Sequence, residues 1–259
     1  MELFKRKEII GDCTLYLGDC LPAMLNMADH AFDIAIVDPP YGINAPVMSM
    51  GQNLNRNDGW HREQSTAVKL KGRLNSGGGK LKNRILNTSD IGWDCNIPSP
   101  EYFEQLFRVS TNQIIWGGNY FNLRPTRCVL CWDKCQPWEN FSQWEMAWTS
   151  FDKPAAFFSY SNTGGANHEK KIHPTQKPTA LYRWIISRFC KNEFHILDTH
   201  LGSGSIAIAA INAGMKITAF EINNEYFDMA CKRIKTAYRT KPRLFDSVPK
   251  TAPVQAGLF

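Results

Sequence analysis

The stretch ILDTHLGSGSIAIAA, Ile196 to Ala210, limits the fold more than any other part of the chain. Apolar residues of strand character end on an acid, Asp198, a turn carrying Gly202 and Gly204 follows, and an Ala/Ile run of helical composition begins. A strand that passes through glycines into a helix is a βα unit, and KITAFEI, ending on Glu221, supplies the next strand. CTLYLGD, LPAMLNM and DIAIVD repeat the pattern near the N-terminus. SPEYFEQLFRVS predicts a helix with Ser99 as N-cap and Pro100 at its first position, and TALYRWIISRFC and NEYFDMACKRIK are two more. QIIWGG, RCVLCWDK, EMAWTSF and AAFFSY have strand character. The alternation predicts an α/β class with a mostly parallel, doubly wound sheet. Residues 1–239 are expected to form one domain, and 240–259 a loose tail.

The glycine turn admits two ligands. Gly202, Gly204 and Ala207 satisfy G-x-G-x-x-A with an acid about 20 residues on, the mark of dinucleotide binding. Asp198, however, lies where a pyrophosphate would sit, and a carboxylate repels phosphates but attracts a cationic amino group. S-adenosylmethionine has an adenosine and a cationic methionine moiety and no phosphate, and Glu221 is placed to accept both of its ribose hydroxyls. The plainer alternative is that the glycines only let helix pack closely on strand.

The other chemical signal is DIAIVDPPYGI, Asp33 to Ile43. Asp38 ends a buried strand at the sheet edge where such folds hold ligands, and Pro39 and Pro40 make a rigid turn without backbone donors. The Asp38 carboxylate and the Pro39 carbonyl together accept the two hydrogens of an exocyclic amine such as adenine N6, and Tyr41 offers a face to a flipped base. A β-turn with a helix cap is the structural alternative, and it does not call for two prolines between an acid and an aromatic ring.

These pieces together resemble the amino-methylating, S-adenosylmethionine-dependent DNA methyltransferases. Asp38-Pro39-Pro40-Tyr41 matches their catalytic [DNS]-P-P-[YFW] motif, and Asp198 to Ser205 is similar to their D-P-F-x-G-S-G-T loop. HPTQKP, His173 to Pro178, is identical to the family segment that helps hold the methionine end of the cofactor. Catalytic motif first and cofactor motif last is the circularly permuted order of the beta group, and the resemblance runs from about Asp12 to Ile234. It implies a class I (Rossmann-like) fold with a seven-stranded mixed sheet and helices on both faces. It further implies a catalytic site at Asp38, Pro39, Pro40 and Tyr41. The cofactor would be held by Asp19, Asp38, His173, Thr175, Lys177, Asp198, His200, Leu201, Gly202, Ser203, Gly204, Glu221 and Ile222, with Asp19 reaching the adenine. IWGGNYF also matches a family segment, which would put Asn119 and Phe121 in the target pocket. His200 and Thr199 depart from the usual phenylalanine and proline, so cofactor packing is expected to differ there.

The implied partner is duplex DNA with its target base flipped out. The chain carries 30 Lys and Arg against 24 Asp and Glu, a net charge of +6 that suits a polyanion without requiring one. Residues 42–94 lose all periodicity and concentrate Arg56, Arg62, Lys69, Lys71, Arg73, Lys80, Lys82 and Arg84, which predicts a flexible DNA-contacting insertion; a solvated loop is the competing account. Because the usual recognition segment is reduced to Ser161 to Lys171, target choice is assigned partly to that insertion, and there is room for a homodimer gripping the duplex. No metal is expected: Cys128 and Cys131 alternate across a strand, and no histidine follows at ligand spacing. No run reaches the roughly 20 apolar residues of a membrane span, and the N-terminus lacks a signal-peptide core, so the expected location is the cytoplasm. Trp116, Trp132, Trp144 and Trp148 are assigned to the core, and Glu145 is expected to be paired if buried. The expected activity is adenine-N6 methylation of DNA. Cytosine N4, an RNA adenine and an inert binding subunit are the alternatives.

Overall fold

A computed structural model describes residues 3–43, 94–136, 142–161 and 169–240. The strands are β1 (Arg6–Ile10), β2 (Cys13–Leu17), β3 (Phe32–Val37), β4 (Ser110–Trp116), β5 (Val129–Asp133), β6 (Trp144–Thr149), β7 (Ala156–Ser159), β8 (His195–Asp198) and β9 (Lys216–Glu221). The α-helices are α1 (Cys20–Leu25), α2 (Pro100–Val109), α3 (Thr179–Phe189), α4 (Ser205–Ala213) and α5 (Asn224–Thr240). All the strands join one sheet in the order β1-β2-β9-β8-β3-β4-β6-β5-β7.

The expected seven strands are therefore nine among the described residues. The strand that pattern reading passed over is β1, where the charges of RKEII mask an alternation of half-buried and exposed positions. Those charges fasten it instead: Arg6 pairs with Asp228 and Glu8 with Lys235 at 2.9 Å, both partners lying on α5.

The core divides between the two faces of the sheet, as the doubly wound reading requires. On one face α3, α4 and α5 bury Leu181, Ile185, Ile206, Phe227 and Ile234. On the other, α1 and α2 bury Met24, Tyr102, Leu106 and Val109. Helix α2 starts where Ser99 Oγ accepts from the Tyr102 amide at 3.3 Å and Pro100 holds the first position. Trp116, Trp132 and Trp148 are buried, but Trp144 is 52% exposed at the start of β6 and is not core.

Five neighbouring strands, β2, β9, β8, β3 and β4, run parallel. Their C-terminal ends consequently line one edge, bringing Glu221, Asp198, Asp38 and Gly117 together although the chain separates them by up to 183 residues. Residues 44–93 and 241–259, with the basic cluster from Arg56 to Arg84 and the expected tail, lie outside the described residues. Among those described, no helix is long and apolar enough to cross a membrane.

Candidate active site

At that edge the chain turns abruptly after β3, and several distant segments fix the turn. Asp94, only 2% exposed, accepts the backbone amides of Tyr41 at 2.7 Å and Gly42 at 3.1 Å. The Tyr41 ring stacks on Tyr120 with centroids 4.9 Å apart. Gly117 adopts φ +69°, and a Cβ there would lie 2.2 Å from the ring, so the first glycine of the IWGG segment leaves the space that Tyr41 fills. Tyr41 was expected to offer a free face. One face is covered by Tyr120, which is 39% exposed, and the Tyr41 hydroxyl donates to Asp38 Oδ1 at 2.6 Å.

The second carboxylate oxygen of Asp38 is also taken. Lys177 Nζ donates to Oδ2 at 2.5 Å and approaches Tyr41 Oη at 3.1 Å and Glu145 Oε2 at 3.1 Å. Glu145 Oε1 is in turn 2.5 Å from Lys134 Nζ, so the acid flagged within WEMAW is paired as expected. Burial pushes the Asp38 carboxyl above the ordinary range, with Lys177 opposing the rise and Glu145 adding to it.

The glycine turn after β8 is held from both ends. Asp198 Oδ1 accepts the His200 amide at 3.0 Å, the Leu201 amide donates to the Phe220 carbonyl at 2.8 Å, and Glu221 accepts the amides of Gly202 at 2.8 Å and Asn223 at 2.9 Å. Gly204, at φ +73°, starts α4 against Ile234, which lies 2.8 Å from where a Cβ would be. Arg233 of α5 donates to the Ser203 carbonyl and Ser205 Oγ, each at 2.9 Å, and to Glu169 Oε2 at 2.8 Å, which ties the turn to the segment before α3. Burial, with Asp38 and Glu221 adding to it, raises Asp198 to about 8, while the His200 amide opposes the shift. Burial also lowers His200 to about 4 and His173 to about 3, the latter with help from Lys177, so both rings are neutral at pH 7.

Between the two turns lies a cavity of about 270 Å³. Of the anticipated site residues, it is lined by Asp38, Pro40, His173, Thr175, Lys177, His200, Leu201, Gly202, Ser203, Glu221 and Ile222. Gln176, Tyr182, Tyr226 and Asn223 line it too and were not anticipated. His173 packs its ring on Tyr226 at 4.3 Å and bonds Thr175 Oγ1 at 3.1 Å. Pro39, Tyr41, Asp198 and Gly204 stand behind the lining as its supports. Asp19 does not reach the cavity, because its carboxylate caps α1 by accepting the Leu21 amide at 2.9 Å. Lys177 lines it but spends its ammonium on Asp38 and Glu145. Asn119 is exposed in the 3-10 turn at Gly118–Tyr120, and Phe121 packs edge-on to Tyr41 at 6.2 Å.

The donor set chooses between the two ligands that the glycine turn allows. The Gly202 amide is bonded to Glu221, Lys177 is bonded to two acids and both histidines are neutral, so a pyrophosphate finds neither a cation nor that amide. A cation meets Asp38 and Glu221 in the lining, Asp198 behind them being mostly protonated at neutral pH, and a nucleoside meets Leu201, Ile206, Ile222 and Tyr226. These residues fit S-adenosylmethionine.

Comparison with known proteins agrees. Residues 118–232 match the N6_N4_Mtase family profile, described as DNA methylase. Type II methyltransferase M.HpaI of Haemophilus parainfluenzae is 23% identical over 249 residues, covering 92% of this chain and 77% of that protein. Type II methyltransferase M2.DpnII of Streptococcus pneumoniae is 28% identical over 157 residues, 61% of this chain, which spans only about half (53%) of that relative's length. The cytosine-N4-specific PvuII DNA methyltransferase shares the fold at a TM-score of 0.51 and 13% identity, over 91% of this chain and 95% of the other. With the acid-proline-proline-tyrosine turn and the glycine loop opening on one cavity, these likenesses support an amino-DNA methyltransferase, similar to the N6/N4 DNA methylases over residues 118–232.

Proposed function

We propose that the protein transfers the methyl group of S-adenosylmethionine to N6 of adenine in DNA, acting on a base turned out of the helix. The observation that carries this reading is that Asp38 and the Gly202–Ser203 turn line the same cavity as Glu221, so the acceptor of an amine and the seat of a cationic nucleoside adjoin. S-adenosylmethionine, when bound, supplies a sulfonium-activated methyl group. Everything else falls to the chain. Glu221 takes the ribose hydroxyls with the lone pairs its two amide bonds leave free, and His173 and Thr175 border the opposite wall beside Gly202.

Asp38 takes an amine hydrogen on the free lone pair of Oδ1 and aims the nitrogen lone pair into the cavity. As the new N–C bond forms, the nitrogen holds one proton too many, and Asp38 Oδ1 is the base that receives it before solvent does. No cysteine is required, since the amine itself is the nucleophile. Tyr120, stacked on Tyr41, extends the aromatic surface beside Asp38 that a flipped base can meet. The order of the pieces, β3 before β8 in the chain yet adjacent in the sheet, supports the permuted arrangement of the beta group.

An aspartate at the first motif position favours adenine over cytosine N4. Incubating unmodified genomic DNA with the protein and S-adenosylmethionine, then sequencing for modified bases, tests both atom and site. N6-methyladenine at a recurring sequence is the expected result; N4-methylcytosine would move the assignment to the other amine, and methyl transfer only to RNA would overturn the DNA reading. Asp38→Ala is expected to abolish turnover while weakening cofactor binding far less, because Glu221 and the glycine turn remain. Retained turnover would refute the role given to that acid.

A further inference from the structure

Lys177 belongs by position to the HPTQKP segment, whose His173 and Thr175 border the glycine turn, yet its side chain does something different. It is 3% exposed, and its ammonium group has three polar neighbours: Asp38 Oδ2 at 2.5 Å, Tyr41 Oη at 3.1 Å and Glu145 Oε2 at 3.1 Å. The rings of Trp116 and Tyr41 close it in at 5.1 and 5.6 Å. Two of its three hydrogens go to Asp38 and Tyr41, and its charge also faces Glu145 as an ion pair, so the group is committed to protein partners on three sides. Glu145 is braced from behind by Lys134 at 2.5 Å. Acid and base thus alternate through four buried or half-buried side chains, from Asp38 at the end of β3, through Lys177 before α3 and Glu145 on β6, to Lys134 just past β5.

Such a chain is costly to assemble in an interior, since each charge gives up water. It is explicable if its product is an ionised acid in a place where a carboxyl group would otherwise keep its proton. We propose that Lys177, braced by Glu145 and Lys134, is the positioning residue that keeps Asp38 ionised and directed at the target amine, and is not a cofactor contact. The inference rests on the amine-transfer reading above, because only a carboxylate, not a carboxylic acid, accepts both a hydrogen bond and then a proton from that amine.

The surroundings of Asp38 agree in sign. Its titratable neighbours are Tyr41 on its own turn, Lys177 and Glu145, then Tyr182 of α3, Tyr102 of α2 and Asp198 at the end of β8. Burial raises Asp38, Lys177 opposes that rise and Glu145 adds to it. Burial would also raise Glu145, but Lys177 and Lys134 outweigh it and hold Glu145 at about 2. Lys177 therefore faces two carboxylates, and burial, which alone would lower its pKa, is overcome by Asp38 and Glu145.

The test follows the Asp38 carboxyl carbon by 13C NMR in the full chain labelled at aspartate, assigned by D38N, alongside single-turnover rate against pH and cofactor affinity by calorimetry. K177Q is expected to raise the Asp38 midpoint by about one pH unit or more, to move the acid limb of the rate profile with it, and to leave the cofactor Kd within about threefold. K177R is expected to bring the midpoint back toward wild type, and E145Q to lower it, an opposite sign that survives even if K177Q does not fold. An Asp38 midpoint unmoved in both K177Q and E145Q, or a K177Q variant that loses cofactor affinity in step with rate, overturns the proposal. If the wild-type protein methylates no amine at all, the transfer reading falls, while the carboxyl titrations still decide what Lys177 does.

Discussion

Gly117→Ala isolates the packing that sets the turn proposed to be catalytic, Asp38 to Tyr41. Position 117 has φ +69°, so an alanine there costs about 1 to 2 kcal/mol of backbone strain, equivalent to a Tm loss of roughly 2 to 8 °C in a chain this long. Its Cβ would stand 2.2, 2.5 and 2.7 Å from three atoms of the Tyr41 ring. Ordinary carbon contact begins near 3.5 Å, so the ring has to retreat by about 1 Å, toward Tyr120 or out of its seat. Its hydroxyl cannot follow that shift and keep a 2.6 Å bond to Asp38. A misplacement of that size at a reacting group costs on the order of a hundredfold in kcat. Gly214→Ala is the matched control: φ is +70°, and no atom lies within 4 Å of its Cβ. Both variants are expected to melt a few degrees low by calorimetry, but only Gly117→Ala should lose kcat, in single-turnover methyl transfer with cofactor Kd unchanged. Equal activity in the two variants would refute the claim that this glycine exists to seat Tyr41.

Glu221→Ala removes the acceptor of both hydrogen bonds that shape the glycine turn and the acceptor for a ribose, and is expected to weaken cofactor binding at least tenfold by calorimetry, about 1.4 kcal/mol; an unaltered Kd would exclude the ribose contact. The histidines predict a pH response of the ligand-free fold. With His173 lowered to about 3 and His200 to about 4 from an ordinary 6.5, the unfolded chain binds more protons than the native one across the interval from about 4 to 6.5, so the urea midpoint should rise with pH there, and His200→Asn should flatten the rise. Asp198 acts in the opposite sense. Its native value of about 8 against an ordinary 3.8 favours the protonated form, so its contribution is lost as pH climbs from about 4 to 8, offsetting part of the histidine rise, and Asp198→Asn should abolish that loss and steepen the rise.

What the linear chain reveals of this molecule depends on how local the cause is. The bounds of helix α2 were legible, because the Ser99 cap and Pro100 are decided within one turn, but its buried face was not: the spacing of Phe103, Leu106 and Phe107 suggests a stripe of which only Leu106 is fully buried, beside Tyr102 and Val109. The two ligand turns were legible for the same reason, each being a strand end followed by residues with a special backbone. Strand β1 was not, since its charges make sense only against Asp228 and Lys235 on a helix more than 200 residues away. Trp144 was misplaced because aromatic content signals a strand but not whether that strand's first residue is covered. Asp19 and Lys177 share one lesson. Each was assigned by motif neighbourhood, yet a carboxylate at a helix start is captured by the nearest amides, and a buried ammonium by the nearest acids. Asp94 and Arg233 carry no motif of their own, and Gly117 lies in a segment noticed only for Asn119 and Phe121; the roles of all three emerge only when sheet order brings them to the turns they hold.

The many supports of Tyr41 bear on how dead copies of such a gene would be recognised. A descendant could preserve all four letters from Asp38 to Tyr41 and still be silent, having acquired a side chain at 117 or an amide at 94, changes that a signature scan passes without comment. Loss of function by that route leaves the hallmark intact, so a survey that also scored those remote positions would catch relics that the signature misses.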